Sequence, residues 1–368
     1  MRILLVGGGS GGSVAPLLAV AEEIKKTHPK ARFLLVGSKS GPEKNMAAKA
    51  GMPFVAIAAG KLRRYFSLKN LVSPLLTLAG FYQAFKILKS FKPDCVFGAG
   101  SFVQVPVVWA AWFLSIPVVL HQQDIVPSLA NKLCQLAAVK MTVSFRDSLK
   151  SFSSNTGLFY TKDHHKVVFT GNPFRQELKA GTKEKAAKFF NLRSDLPTLL
   201  VLGGGTGAEF INKLIQKSLP QLTKTVQVIH STGRGKSISD KTESYHPYEF
   251  IDHMAEAYAV ADIVVARAGL STITELSNLK KVSIIIPMPE THQQDNSWHL
   301  LQNQAAIILT QNKVTSAGFV GLIRKLLFAG DVQAMLKENI GKIMPHNSAE
   351  KISEIILKSA LNNEGPAI

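Results

Sequence analysis

Cysteine is almost missing from this chain of 368 residues; Cys95 and Cys134 are the only two. Two cysteines exclude a disulfide framework and fit a reducing compartment. Acidic residues are scarce as well, 25 Asp and Glu against 43 Lys and Arg, for a net charge of +18. Between Lys44 and Pro93 there is no acidic residue at all. No apolar run is long enough for a bilayer span. The longest, "VPVVWAAWFLSIPVVL" at 105 to 120, carries Pro106 and Pro117 and reads as a buried helix followed by a buried strand. The apolar start is broken at Gly7, so it is not read as a secretory signal. With 46% hydrophobic and 18% charged residues the composition is globular, and the length suits two domains.

The opening stretch "LLVGGGSGGSVAP", residues 4 to 16, sets an apolar strand against a glycine-rich turn and a helix. Glycines let the main chain approach an anion, and the free N–H groups of the helix start face it. The turn lacks the Lys-Ser/Thr of a P-loop, which excludes an ATPase of that class. The second strand, in "ARFLLVGSKS", ends at Gly37, Ser38 and Lys39 without the carboxylate that an NAD site needs. Lys39 leaves NADP open.

Near residue 200 the pattern returns as "TLLVLGGGTGAEFINKLI". Two such openings half a chain apart imply two similar α/β domains facing one another. Short apolar runs follow each, in the first half "RFLLVG", "FVAIAA", "CVFGAG", "PVVLH", "MTVSF" and "KVVFTG". In the second half they are "TLLVLG", "VQVIHST", "YEFID", "DIVVAR", "VSIIIP" and "AAIIL". Such runs suit parallel strands buried on both faces. Ligands of open parallel sheets sit beyond the carboxyl ends of the strands. Those ends carry Gly8 to Ser13, "GAGSF" at 98 to 102, "HQQD" at 121 to 124, "TGNPFR" at 170 to 175, "GGGTG" at 203 to 207, "ARAGLSTITE" at 266 to 275 and "PETHQQDN" at 289 to 296.

The positive charge calls for an anionic partner. Arg63, Arg64, Lys69, Lys86, Lys89 and Lys92 alternate with Leu71, Val72, Leu75, Leu76, Leu78, Phe81 and Phe85. Basic residues around an apolar surface suit an anionic membrane; a core helix with a solvated basic face is the alternative. With no zinc-finger spacing or RNA-binding aromatic motif, nucleic acid is not the partner expected.

Together, "NPFRQEL", "FIDHMAEAYAVADIVVARAG", "TITEL" and "HQQDN" resemble the MurG-type N-acetylglucosaminyltransferases, in order from residue 1 to about 345. The resemblance implies an α/β fold of two Rossmann-like domains across a cleft, the GT-B arrangement. An acceptor domain would span 1–168, with a C-terminal helix at 347–362 packing back on it, and a donor domain 169–345. The implied reaction moves N-acetylglucosamine from UDP-N-acetylglucosamine to undecaprenyl-pyrophosphoryl-N-acetylmuramoyl-pentapeptide, lipid I, giving lipid II with inversion. The place would be the cytoplasmic face of the cell membrane, peripherally bound, with no cofactor.

For the donor, the resemblance implies main-chain reading of uracil at Ile251 and a diphosphate at the helix start formed by Leu270, Ser271, Thr272, Ile273 and Thr274. Glu275 would accept from the ribose, Arg175 would neutralise the leaving diphosphate, and His292, Gln293 and Asn296 would meet the sugar. Ser10, Gly11, Gly12, Asp124 and Gly205 complete the donor set. The acceptor pyrophosphate would lie on the main chain of Gly8, Gly9, Gly11, Gly12, Gly98, Gly100 and Ser101. No Asp-x-Asp pair occurs in the chain, so no metal is expected to carry the leaving group.

Five positions depart from the family pattern. Ser13 stands for its His, Gln122 and Asp124 for Glu and Asn, and Gly205 with Thr206 for Ser and Gln. A serine of ordinary acidity is no base near neutrality. The catalytic group is therefore sought at Asp124, assisted by His121, with Ser13 making room for the acceptor. A second reading has Asp124 only hydrogen-bonding the donor sugar. The rivals for the whole chain are another GT-B transferase or nucleotide-sugar epimerase, or a binding homologue without transfer. An NADP oxidoreductase leaves the second glycine loop and "FIDHM" without a role.

Overall fold

The computed structural model describes residues 1–60, 69–153, 166–204, 207–236 and 242–361. Two compact units result, one of residues 1–174 with 345–368, the other of residues 175–344.

The first unit holds β1 (Arg2–Val6), β2 (Arg32–Gly37), β3 (Phe54–Ala56), β4 (Cys95–Gly98), β5 (Val118–Gln122), β6 (Lys140–Val143) and β7 (Val167–Phe169). They form one sheet in the order β3-β2-β1-β4-β5-β6-β7, and every pairing is parallel. Alternation along β1 explains why its whole run is apolar. Ile3 and Leu5 join Leu17, Val20 and Ile24 of the helix Ala15–Thr27 on one face. Leu4 and Val6 join Leu88, Val107 and Val118 on the other. Ile352 and Ile356 of the helix Ser348–Leu361 enter the first of these clusters, so the C-terminal helix belongs to this unit. Because β7 pairs with β6, the first unit runs past residue 168 to Phe174.

The second unit repeats the order as β10-β9-β8-β11-β12-β13, again all parallel. Its strands are β8 (Thr198–Leu202), β9 (Gln227–Ser231), β10 (Tyr245–Tyr248), β11 (Ile263–Ala266), β12 (Ser283–Ile285) and β13 (Ile307–Ile308). Only β10 is misplaced by the sequence, which points to "YEFID" at 248 to 252. The observed strand includes Pro247, tolerable because β10 is an edge strand.

In both sheets the order reverses direction between the first and fourth strands of the unit, β1 with β4 and β8 with β11. That switch point opens a crevice at the carboxyl ends. The glycine loops after β1 and β8 both end there. Gly9 at φ +82 and Gly207 at φ +71 take a backbone that side chains rarely adopt.

Candidate active site

In the first unit, side chains lace the loops at the switch point together. The Gly8 carbonyl accepts from Ser101 Oγ at 2.9 Å and from Ser13 Oγ at 3.1 Å. Ser13 Oγ also lies 3.0 Å from the Ser10 carbonyl. Its hydroxyl therefore closes the glycine loop on itself, and a catalytic part for Ser13 is corrected to a structural one. Beneath the loop lies Glu43, fully buried. One carboxylate oxygen, Oε1, accepts from the main-chain N–H of Gly9 at 3.0 Å and of Ser38 at 2.8 Å, and from Ser38 Oγ. Of the amides of this loop assigned to a pyrophosphate, that of Gly9 is thus already committed, while Gly11 and Gly12 are only partly buried.

The second glycine stretch also needs correction. Gly98 is the last residue of β4, and a Cβ there would meet Gln104 Oε1 at 2.8 Å. The N–H of Gly100 donates to that same Oε1 at 2.8 Å. Both are turned toward Gln104. They begin a buried polar chain that runs from the β4 loop to the β5 loop. Gln104 Nε2 donates to Asn131 Oδ1 at 2.6 Å, and Asn131 Nδ2 donates to Gln122 Oε1 at 2.8 Å. Gln122 Nε2 then donates to the carbonyls of Asp124 at 2.7 Å and Val126 at 3.0 Å. Gln104, Gln122 and Asn131 are all buried, so this network fixes the loop that carries half-buried Asp124. Gln104 and Asn131 escaped the sequence reading; polar residues inside apolar stretches were the available signal.

His121 is not at the surface of the site. It is fully buried on β5, its Nδ1 2.8 Å from Thr142 Oγ1 and its Nε2 3.0 Å from Asn172 Oδ1 and 3.2 Å from Ser144 Oγ. Burial pushes its pKa down to about 4, with the Asn172 contact opposing. A ring so enclosed cannot take a proton from a substrate, and its assisting role is corrected to holding β5, β6 and the 172 segment together.

His230 on β9 is its counterpart in the second unit, bound to Tyr245 Oη at 2.9 Å and Asn212 Oδ1 at 3.1 Å and likewise lowered to about 4 by burial. A depressed histidine keeps the fold uncharged while the unfolded chain takes up the proton near pH 6.5. Stability is therefore full above that pH and is lost as the pH falls toward 4, by roughly 3 kcal/mol per ring at about 1.36 kcal/mol per pH unit. The melting temperature is expected to drop over that window. His230→Gln should flatten the slope, and an unchanged slope would remove His230 from the account.

The second unit assembles a charged cluster around the helix Leu270–Asn278, which starts directly after β11. Arg175 Nη2 donates to Glu275 Oε1 at 3.1 Å, and Arg175 Nη1 to Glu177 Oε1 at 3.2 Å. Tyr258, fully buried on the helix Met254–Val260, donates its hydroxyl to Glu275 Oε2 at 2.7 Å. Burial first, then the neighbouring Glu275, holds the Tyr258 phenol well above its ordinary pKa, so it stays a donor. Among the described residues, Arg175 Nε and Ser271 Oγ are buried and have no hydrogen-bond partner. Ser271 Oγ lies in the first turn of a nine-residue helix, where N–H groups are free and the dipole is positive. Arg175 is held to Glu275 further along the same helix, so both orphaned donors belong to one element suited to an anion.

Other residues assigned to the donor act less directly. Ile273 and Thr274 are buried, Thr274 Oγ1 donates back to the Leu270 carbonyl at 2.9 Å and the Ile273 N–H to the Gly269 carbonyl at 3.0 Å, so both serve the helix itself. Leu270 is buried as well. Thr272 is half-buried on the same turn, and the Ile251 side chain is packed inside just past β10. Asn296 is buried with its Nδ2 donating to the Ala268 carbonyl at 3.1 Å, so it braces the β11 loop. Gln293 Oε1 accepts from the Met288 N–H at 3.0 Å, and His292 stands exposed before it. Gly205 and Thr206 lie outside the described residues. Tyr258 and Glu43 were missed because neither stands near a glycine loop in sequence.

Two family models match the chain. The glycosyltransferase family 28 N-terminal domain matches residues 3–143, and the family 28 C-terminal domain residues 198–354. The UDP-N-acetylglucosamine--N-acetylmuramyl-(pentapeptide) pyrophosphoryl-undecaprenol N-acetylglucosamine transferase of Lachnospira eligens is 36% identical over 362 residues, covering 96% of this chain and 98% of its own. The chain belongs to the MurG-type branch of glycosyltransferase family 28. A Clostridium perfringens protein of the same name is 39% identical over 291 residues, 78% of each chain. In fold, the crystal structure of Acinetobacter baumannii MurG matches with a TM-score of 0.68 at 23% identity, over 97% of this chain and 99% of that one. Membership makes this chain a hexosyltransferase with two parallel-sheet α/β domains of the GT-B class.

Proposed function

We propose that the chain transfers N-acetylglucosamine from UDP-N-acetylglucosamine to undecaprenyl-pyrophosphoryl-N-acetylmuramoyl-pentapeptide, the lipid II-forming step of peptidoglycan synthesis. The observation that carries this reading is the pair of orphaned donors along one helix, Ser271 Oγ in its first turn and Arg175 Nε on the side chain bound to Glu275. A nucleoside diphosphate offers both what the site needs, anionic oxygens for the donors and ribose hydroxyls for the carboxylate. In the reaction an acceptor hydroxyl oxygen bonds to the anomeric carbon while the bond to UDP breaks. UDP leaves with the electron pair under Arg175 and the helix start. The hydroxyl proton passes to Asp124, on the loop that Gln122 holds. Ser10, Gly11 and Gly12 receive the acceptor's pyrophosphate. The test is transfer of radiolabel from UDP-N-acetylglucosamine to lipid I by the purified chain. Donor binding without transfer would favour a binding homologue instead.

The acceptor is a membrane lipid, and the helix Lys69–Phe91 suits that setting. Val72, Leu75, Leu78 and Tyr82 are all at least half exposed and fall on one helical stripe, while Ala84 and Leu88 are buried. Lys86 Nζ lies 4.4 Å from the Tyr82 ring centre and Lys89 Nζ 4.6 Å from that of Phe85. Phe113, also exposed, packs edge-on against Phe85. These features support a proposed peripheral seat on the cytoplasmic face, with the apolar stripe in the interface and the lysines at anionic headgroups. Arg63 and Arg64 lie outside the described residues, and no described helix is long and apolar enough to cross a membrane. Each lysine near such a surface contributes about 1 kcal/mol. Lys86→Gln with Lys89→Gln is expected to weaken association with anionic vesicles roughly 30-fold at low salt, and rising salt should erase the difference. Equal sedimentation of parent and variant would refute the electrostatic part.

A further inference from the structure

We infer that Tyr258 is the positioning residue that keeps Glu275 in place for the ribose once the donor's diphosphate has drawn Arg175 away. The inference rests on the reading of Glu275 as the ribose acceptor given above.

Among the described residues, the Glu275 carboxylate has two holders, one on each oxygen. Arg175 takes Oε1 from a side chain that is 31% exposed, whereas Tyr258 takes Oε2 from full burial. These holders are not equivalent when a diphosphate arrives. Arg175 has an orphaned Nε and a planar fork, and a doubly charged phosphate chain is a better partner for it than one carboxylate. The incoming anion therefore competes with Glu275 for the guanidinium. Oε1 becomes available to hydroxyl donors, which is the atom the ribose needs. Tyr258 has no such competitor, since its hydroxyl is enclosed and points to Oε2. Without it the carboxylate is tethered, among the described residues, only by Arg175 and follows that side chain away from the ribose.

Nothing else about Tyr258 suggests contact with a ligand. Its ring is buried in the helix Met254–Val260, so it acts through Glu275. Tyr258→Phe deletes one oxygen and keeps the ring. A packing defect alone would weaken every nucleotide alike, but loss of positioning weakens only those with ribose hydroxyls.

The experiment measures binding of UDP and of 2′,3′-dideoxy-UDP by calorimetry to the full chain, to Tyr258→Phe and to Glu275→Gln. The parent is expected to prefer UDP, and both variants are expected to lose that preference. For Tyr258→Phe the loss in UDP affinity should be about tenfold, as for a hydrogen bond to a charged group, with dideoxy-UDP nearly unchanged. If Glu275→Gln loses the preference and Tyr258→Phe retains it, the role given to Tyr258 is wrong. Equal losses for both nucleotides in Tyr258→Phe would also overturn it. If the parent shows no preference, the reading of Glu275 fails and takes the inference with it.

Discussion

Arg175→Ala is expected to lower kcat/KM for sugar transfer about 10²–10³-fold, the range seen when one preorganised donor to a developing anion is removed. Two effects add. The diphosphate that departs loses the guanidinium that meets its growing charge. Glu275, whose side chain is only 14% exposed, loses the cation on Oε1 and becomes an uncompensated carboxylate at the mouth of an anion site. Because the second effect needs Glu275, the double variant Arg175→Ala, Glu275→Gln should be less impaired than the sum of the single changes predicts. Arg175→Lys restores charge but not the fork, and is expected to recover only part of the loss. Steady-state kinetics at saturating acceptor decide the matter. A kcat/KM within threefold of the parent for Arg175→Ala would place the leaving-group contact elsewhere.

The strand–glycine–helix openings were legible because a parallel strand buried on both faces needs an unbroken apolar run, and because the tight turn after it tolerates little but glycine. The switch points followed from where those runs ended. What the sequence could not carry was direction. In β5 every residue is buried, so the apolar pattern does not say which face a side chain takes, and His121 and Gln122 diverge by alternation alone. His121 falls beside Val119 and Gln122 beside Leu120, whose clusters lie on opposite sides of the sheet. A motif that ends a strand marks a loop as functional but assigns no atom to the ligand. The same limit explains Gly98 and Gly100, whose glycine character serves Gln104 and the chain turn. Tyr258 and Glu275 stand 17 residues apart on different helices, a contact that only the packing of the second unit creates.

The group that accepts the proton is open to the sharpest test. Ser13 spends its hydroxyl on two loop carbonyls and His121 is sealed within the sheet. Glu43 is fully buried under the glycine loop, its Oε1 taken by three donors and its Oε2 enclosed without a partner among the described residues. Asp124 differs from all three: it is half-buried on a loop at the carboxyl edge, and its main chain is held by Gln122. Where the family pattern has Glu and then Asn, this chain has Gln122 and Asp124, so the carboxylate has moved from the buried position to the edge. The exchange is physically coupled. Gln122 donates to two carbonyls of that loop, which a glutamate there cannot do. Asp124→Asn keeps the shape and removes the basicity, so kcat is expected to fall about 10²–10⁴-fold with the donor dissociation constant nearly unchanged. Gln122→Glu should also slow turnover, by releasing the loop, yet leave the Asp124 carboxylate present; its loss should be smaller. An equal fall in donor affinity for Asp124→Asn would instead make Asp124 a sugar ligand, and normal turnover would move the base to another residue.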